Sequence, residues 1–140
     1  VKPVNQTITT IPGGNCFAAC VASLLELPLE DVPNFCAMEP HKEWFQRFVE
    51  WLHWRGLGAS YSPYDDVNGL MTILEGYCIM GVRTENPENT NPDEWHHSVV
   101  GLCERTGESA YTFSVVHDPN PAGWKLTGHV DVVWIVRNAS

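Results

Sequence analysis

Gly13-Gly14-Asn15-Cys16-Phe17-Ala18-Ala19-Cys20-Val21-Ala22-Ser23-Leu24-Leu25 places a glycine turn and a cysteine at the head of an apolar segment. Pro12-Gly13-Gly14 breaks the chain, and Asn15 is the expected N-cap of a helix running to about Glu26. Phe17, Val21, Leu24 and Leu25 form its buried stripe, and Pro28 is the expected stop. A cysteine in the first turn of such a helix meets unpaired backbone N–H groups and the positive end of the helix dipole. Both stabilise a thiolate and lower a thiol pKa that otherwise lies near 8.5.

Upstream, Val4 to Ile11 reads as extended. Downstream, Leu29 to Phe35 reads as a short helical turn followed by a loop. Trp44, Phe45, Phe48, Val49, Trp51, Leu52 and Arg55 then recur at helical spacing behind Pro40, with Gly56 as the stop, which predicts an amphipathic helix. Beyond it, apolar alternation replaces helical periodicity. Strands are expected near Tyr77 to Val82, His97 to Cys103, Tyr111 to Asp118 and His129 to Arg137, with Thr84 to Glu94 as a polar surface loop. The pattern predicts an α+β fold, with N-terminal helices packed on an antiparallel sheet of about four or five strands.

The 140 residues, 44% of them hydrophobic, have the length of one domain, 1–140, able to bury a core without disulfides. Eight Lys and Arg against seventeen Asp and Glu give a net charge of −9, which opposes binding to nucleic acid or to an anionic membrane. Apolar runs such as Val130 to Val136 fall far short of the ~20 residues that span a bilayer, and no charged-then-apolar leader opens the sequence. Cysteines at 16, 20, 36, 78 and 103 make an odd number without a disulfide framework. A reducing, cytoplasmic compartment is therefore the expectation. Oligomeric state has no signature in the sequence.

A catalytic thiol needs a base and a group that orients the base. Of six histidines, His41 and His53 lie on or beside the long helix, where a solvated position is the simpler reading. His97 opens a predicted strand directly after a polar loop. If Glu104 pairs with Tyr111 across the next hairpin, His97 faces Asp118 at a Cβ separation of about 4.5 to 5.5 Å. A slip of one residue would face it with His117 instead. Oxyanion donors would come from the backbone at the helix start and from an amide side chain, either Gln6 or Asn15. Trp95 and Trp124 are positioned in sequence to wall a cleft, whereas Trp44, Trp51 and Trp54 belong to helix packing. Cys20, Cys36, Cys78 and Cys103 read as core or boundary positions. No paired short Cys or His spacing suggests a structural zinc site, so neither metal nor cofactor is expected.

The Gly14-Asn15-Cys16-Phe17-Ala18-Ala19-Cys20 helix start, His97-Ser98-Val99-Val100, Val116-His117-Asp118-Pro119 and Leu27 to Phe35 resemble the papain-like cysteine peptidases of the C39-like group, particularly small stand-alone members encoded by bacteriophages. The resemblance covers most of the chain. It implies a papain-like core, a Cys16, His97 and Asp118 triad, and an upstream glutamine. Gln6 precedes Cys16 by a longer spacing than is usual in the family. The implied activity is thiol hydrolysis of an amide, peptide or isopeptide bond in a peptide or protein substrate, in the host-cell cytoplasm if the chain is phage-encoded. Two alternatives use the same fold: a catalytically silent binding or inhibitor module, and an acyltransferase delivering the acyl group to an amine, as transglutaminases do.

Overall fold

The computed structural model describes residues 1–8, 14–39, 41–65, 69–70, 73–87, 91, 96–108 and 110–137. Two α-helices, α1 (Cys16–Leu25) and α2 (Trp44–His53), precede six strands: β1 (Leu57–Asp65), β2 (Gly69–Leu70), β3 (Gly76–Thr84), β4 (His96–Arg105), β5 (Tyr111–His117) and β6 (Leu126–Arg137). Short 3-10 turns at Leu29–Asp31, Phe35–Ala37 and His41–Glu43 join the helices. The strands form one antiparallel sheet in the order β2-β1-β6-β3-β4-β5. This is the expected α+β arrangement, with five long strands and the two-residue β2.

Helix α1 is buried nearly all round. Phe17 through Ser23 are shielded, and the small side chains of Ala18, Ala19 and Ala22 let the helix lie close to the sheet. Its core cluster joins Phe17, Val21, Phe35, Phe48 and Leu52 to Ile79, Val100 and Val133 on β3, β4 and β6. Phe48 is fully buried, with its ring edge-on to Phe17 at 4.9 Å and to Phe35 at 5.5 Å. A second cluster, including Cys78, Met80, Val99, Val132 and Trp134, alternates with the first along the same strands.

The N-terminal segment is a strap between helix and sheet. Lys2 N and Val4 N donate to the carbonyl and hydroxyl of Ser23 on α1. His117 Nε2 donates to Val4 O at 3.1 Å, and Gln6 N donates to Pro119 O at 2.8 Å. No strand lies within residues 1–8. The rest of the expected extended stretch, Thr9 to Ile11, falls outside the described residues, as do Pro12, Gly13 and Pro40.

Several boundaries differ from the sequence expectation. Helix α1 ends at Leu25 because Glu26 adopts a left-handed conformation (φ 55°) and donates its N–H to Ala22 O, before Pro28 can act. Helix α2 stops at His53, and the chain turns through Trp54 and Arg55 to Gly56 at φ 73°. Trp54 is out of phase with the buried stripe and 88% exposed, so it takes no part in helix packing. Thr84 is the last residue of β3 and not part of the loop, of which 88–90 and 92–94 lie outside the described residues. Among the described residues, no helix is long and apolar enough to cross a membrane.

Candidate active site

The β4–β5 ladder brings the site together, in a register other than the expected one. Tyr111 pairs with Arg105, not Glu104, and the ladder runs regularly to Val115 opposite Gly101. A bulge then leaves Val116 without a partner and sets His117 opposite Val100. Had the ladder stayed regular, Asp118 would align with Ser98, whose side chain lies on the other face from that of His97. The added residue aligns Asp118 with Val99, two positions from His97 and on its face, a diagonal that side chains can span. His97 Nε2 donates to Asp118 Oδ1 over 2.7 Å. Asp118, and not His117, is therefore the partner of His97. The same Oδ1 accepts Asn120 N at 2.9 Å, fixing the carboxylate from its own turn.

Cys16 meets this pair where the ladder ends. The last β4–β5 partners are Val100 and His117, so Ser98 lies beyond the paired edge. Its backbone N–H and hydroxyl both interact with the Cys16 sulfur, and the His97 ring hydrogen-bonds the thiol. Since Nε2 of His97 faces Asp118, Nδ1 is the nitrogen left for Cys16. Ser98 is a site residue that sequence reasoning missed, and its only signal was adjacency to His97.

The charges follow from these contacts. Burial pushes the Cys16 thiol up, but the hydrogen bond and charge of His97, with the donors of Ser98, outweigh it and hold the thiol below its ordinary value. Burial pushes His97 down, and the opposing hydrogen bonds and charges of Asp118 and Cys16 raise it to about 9. Asp118 is raised by burial, yet the His97 and Asn120 hydrogen bonds bring it below the usual carboxylate value. Each of the three shifts favours the charged form of its group: thiolate, imidazolium and carboxylate. The other cysteines behave oppositely. Burial pushes Cys20 well above the ordinary thiol value, Cys36 and Cys78 to about 12, and Cys103 upward. None of the five cysteines is in a disulfide.

The two candidate oxyanion amides separate. Asn15 makes no side-chain cap bond to α1. Its Oδ1 accepts Thr7 N at 3.0 Å and Ile8 N at 2.9 Å, and its Nδ2 donates to Thr7 Oγ1 at 2.9 Å, so its work is to hold the strap. Gln6 is buried beside the Asp118–Pro119 turn, through its N–H to Pro119 O. Its Nε2 donates one hydrogen to Ile8 O at 2.9 Å, leaving a second, while its Oε1 is buried without a partner. Trp95 lies outside the described residues, and Trp124 is half-buried. The side chain of His41 is also outside the description, and His53 is exposed. Among the described residues, no group of three or more His, Cys, Asp or Glu side chains converges on a point where a metal ion would sit.

A thiol beside a base and its orienting carboxylate can attack an acyl carbon and, as the leaving group departs, form a covalent thioester. Compared with protein-family models, curated proteins and solved structures, the chain gives no match.

Proposed function

We propose that this chain is a thiol hydrolase acting on an amide, peptide or isopeptide bond through an acyl-enzyme on Cys16. One observation carries the reading: of five cysteines, Cys16 alone has its thiol pKa lowered, and the group chiefly responsible, His97, is itself held by Asp118. A cysteine kept for packing has no need of that chain of contacts. The order Cys16, His97, Asp118 and the helix-on-sheet arrangement also support a papain-like core resembling the C39-like peptidases.

In the proposed cycle the Cys16 thiolate attacks the carbonyl carbon. The oxyanion is met by the Cys16 N–H and the second Nε2 hydrogen of Gln6. The His97 imidazolium gives its Nδ1 proton to the departing nitrogen as the C–N bond breaks, leaving a thioester and a neutral imidazole. Water then loses a proton to Nδ1 and attacks the thioester. The C–S bond breaks, the acid departs, and the thiolate and imidazolium are restored. The Asp118 carboxylate stays ionised throughout and keeps the proton on Nε2.

The test is alkylation by iodoacetamide at neutral pH, followed by intact mass, for the wild type, Cys16→Ala and His97→Ala. One fast alkylation lost in both variants supports the proposal. Alkylation of Cys16 no faster than a model thiol, with no effect of His97→Ala, overturns it. Product analysis with added amine then separates hydrolysis from acyl transfer.

A further inference from the structure

One row of residues runs across the sheet from the thiol. Gly81 on β3 pairs with Ser98 on β4 and with Asp131 on β6, and Asp131 pairs with Pro63 on β1. Ile79, Val100 and Val133, each two residues away along its strand, all belong to the core under α1, so Gly81, Ser98 and Asp131 share the helix-side face. They lie one step beyond the row that α1 covers, at the end where Cys16 begins the helix. A Cβ on Gly81 would fall 1.9 Å from Asp131 Oδ1. The carboxylate therefore occupies the space over Gly81, between its own strand and Ser98.

Asp131 is half-buried. The exposed Tyr61 donates its hydroxyl to Oδ2 at 3.2 Å, and Gly81 N–H also reaches the carboxylate. Burial raises its pKa, an effect opposed by Tyr61, by the charges of His129 and His96, and by Gly81. Burial holds His129 below the ordinary histidine value, against its charged form. A carboxylate in this position gains from a permanent cation. Two strand spacings, about 10 Å, separate the Asp131 and Ser98 backbones, a span matched by a long side chain within two residues of the scissile bond. His97 and Asp118 lie on the β5 side, where the leaving group must be protonated, so the β3–β6 side is left for the acyl portion. The net charge of −9 favours cationic ligands in the same sense.

We propose that Asp131 is a specificity-determining residue, forming an anionic subsite for a lysyl or arginyl side chain at one of the two substrate residues on the acyl side of the scissile bond. The inference rests on the thiol-hydrolase reading and specifies its substrate class.

The probes are acetyl-dipeptidyl acyloxymethyl ketones carrying Lys, Arg, norleucine or Glu at either position. In each, the Cys16 thiolate displaces the carboxylate leaving group, forming C–S and breaking C–O. The expected result is inactivation by a Lys or Arg probe roughly tenfold or more faster than by norleucine, with Glu slowest. Asp131→Asn, whose amide oxygen can still accept from Tyr61, should bring the Lys-to-norleucine ratio near one. Equal rates for Lys, norleucine and Glu at both positions in the wild type overturn the proposal while leaving the hydrolase standing. That comparison needs no variant, so misfolding of Asp131→Asn does not blunt it. Failure of every probe and of iodoacetamide to label Cys16 faster than a model thiol removes the hydrolase reading, and the subsite with it.

Discussion

Asp118→Asn isolates the charge that supports the proposed nucleophile. The amide can keep its oxygen on His97 Nε2 and on Asn120 N, so the geometry of both hydrogen bonds is available without the negative charge. A hydrogen bond to a charged group is worth about 1.5 to 3 kcal/mol, which converts to a loss of roughly 10- to 100-fold in the stability of the ion pair relative to the neutral pair. The sign follows from the proton count. Asp118 favours the imidazolium, so its loss lowers the upper boundary of the ion pair from about 9 toward the ordinary histidine value of 6.5. The thiolate–imidazolium form then makes up a smaller share of the singly protonated pair, to which both boundaries belong. The assay is the rate of Cys16 alkylation by iodoacetamide from about pH 4 to 9, with the His97 ring-proton NMR shift reporting the upper boundary. Near pH 6 the variant should react more slowly than the wild type, by up to roughly 10- to 100-fold. Superimposable profiles, or a wild-type thiol titrating near 8.5 like a free cysteine, would refute the reasoning.

Asn15→Ala should lower stability by about 1 to 3 kcal/mol in a urea titration, because Thr7 N and Ile8 N lose their shared acceptor. Asn15→Asp, which keeps that acceptor, should lose less. Phe48→Ala removes a fully buried ring in edge contact with Phe17 and Phe35, and a loss of about 3 to 5 kcal/mol is expected by the same titration. His129 is held below its ordinary value of 6.5 by burial, against the opposing hydrogen bond and charge of Asp131. Its contribution to stability is thus present above about pH 6.5 and lost as the pH falls through its lower folded value. His129→Phe, retaining ring contact with Tyr64 and Phe113, should flatten the fall of the melting temperature as the pH drops below about 6.5, and an unchanged slope would count against that assignment.

Local signals were legible where local chemistry decides. The periodicity of Trp44, Phe48 and Leu52 marks α2, and the switch to alternation marks β3 through β6. Strand β1 escaped notice because Gly58, Ala59, Ser60, Ser62 and Pro63 carry little β propensity. Pairing along β6, from Leu57 opposite Arg137 to Pro63 opposite Asp131, overrides that deficit. The His97–Asp118 partnership was anticipated through a register two positions away from the observed alignment. A shift of two preserves the face, which is why the contact survives, and nothing in Val115-Val116-His117 announces the bulge that restores it. Asn15 has the residue type of a cap, but its amide is captured by Thr7 and Ile8, a tertiary choice invisible in the helix sequence. Ser98 and Asp131 fall on one row through strand order alone, since both pair with Gly81.

The position of β6 bears on when the thiol becomes reactive. The last strand in the chain sits at the middle of the sheet, between β1 and β3, and Val4 meets His117 across 113 residues of sequence. Such distant pairings give a high contact order and slow folding. Until residues 126–137 are available, β1 is paired only with the two-residue β2, and β3 has β4 as its single neighbour. On the proposed reading, closure of the sheet by β6 is the folding step that completes the setting of the Cys16 thiol.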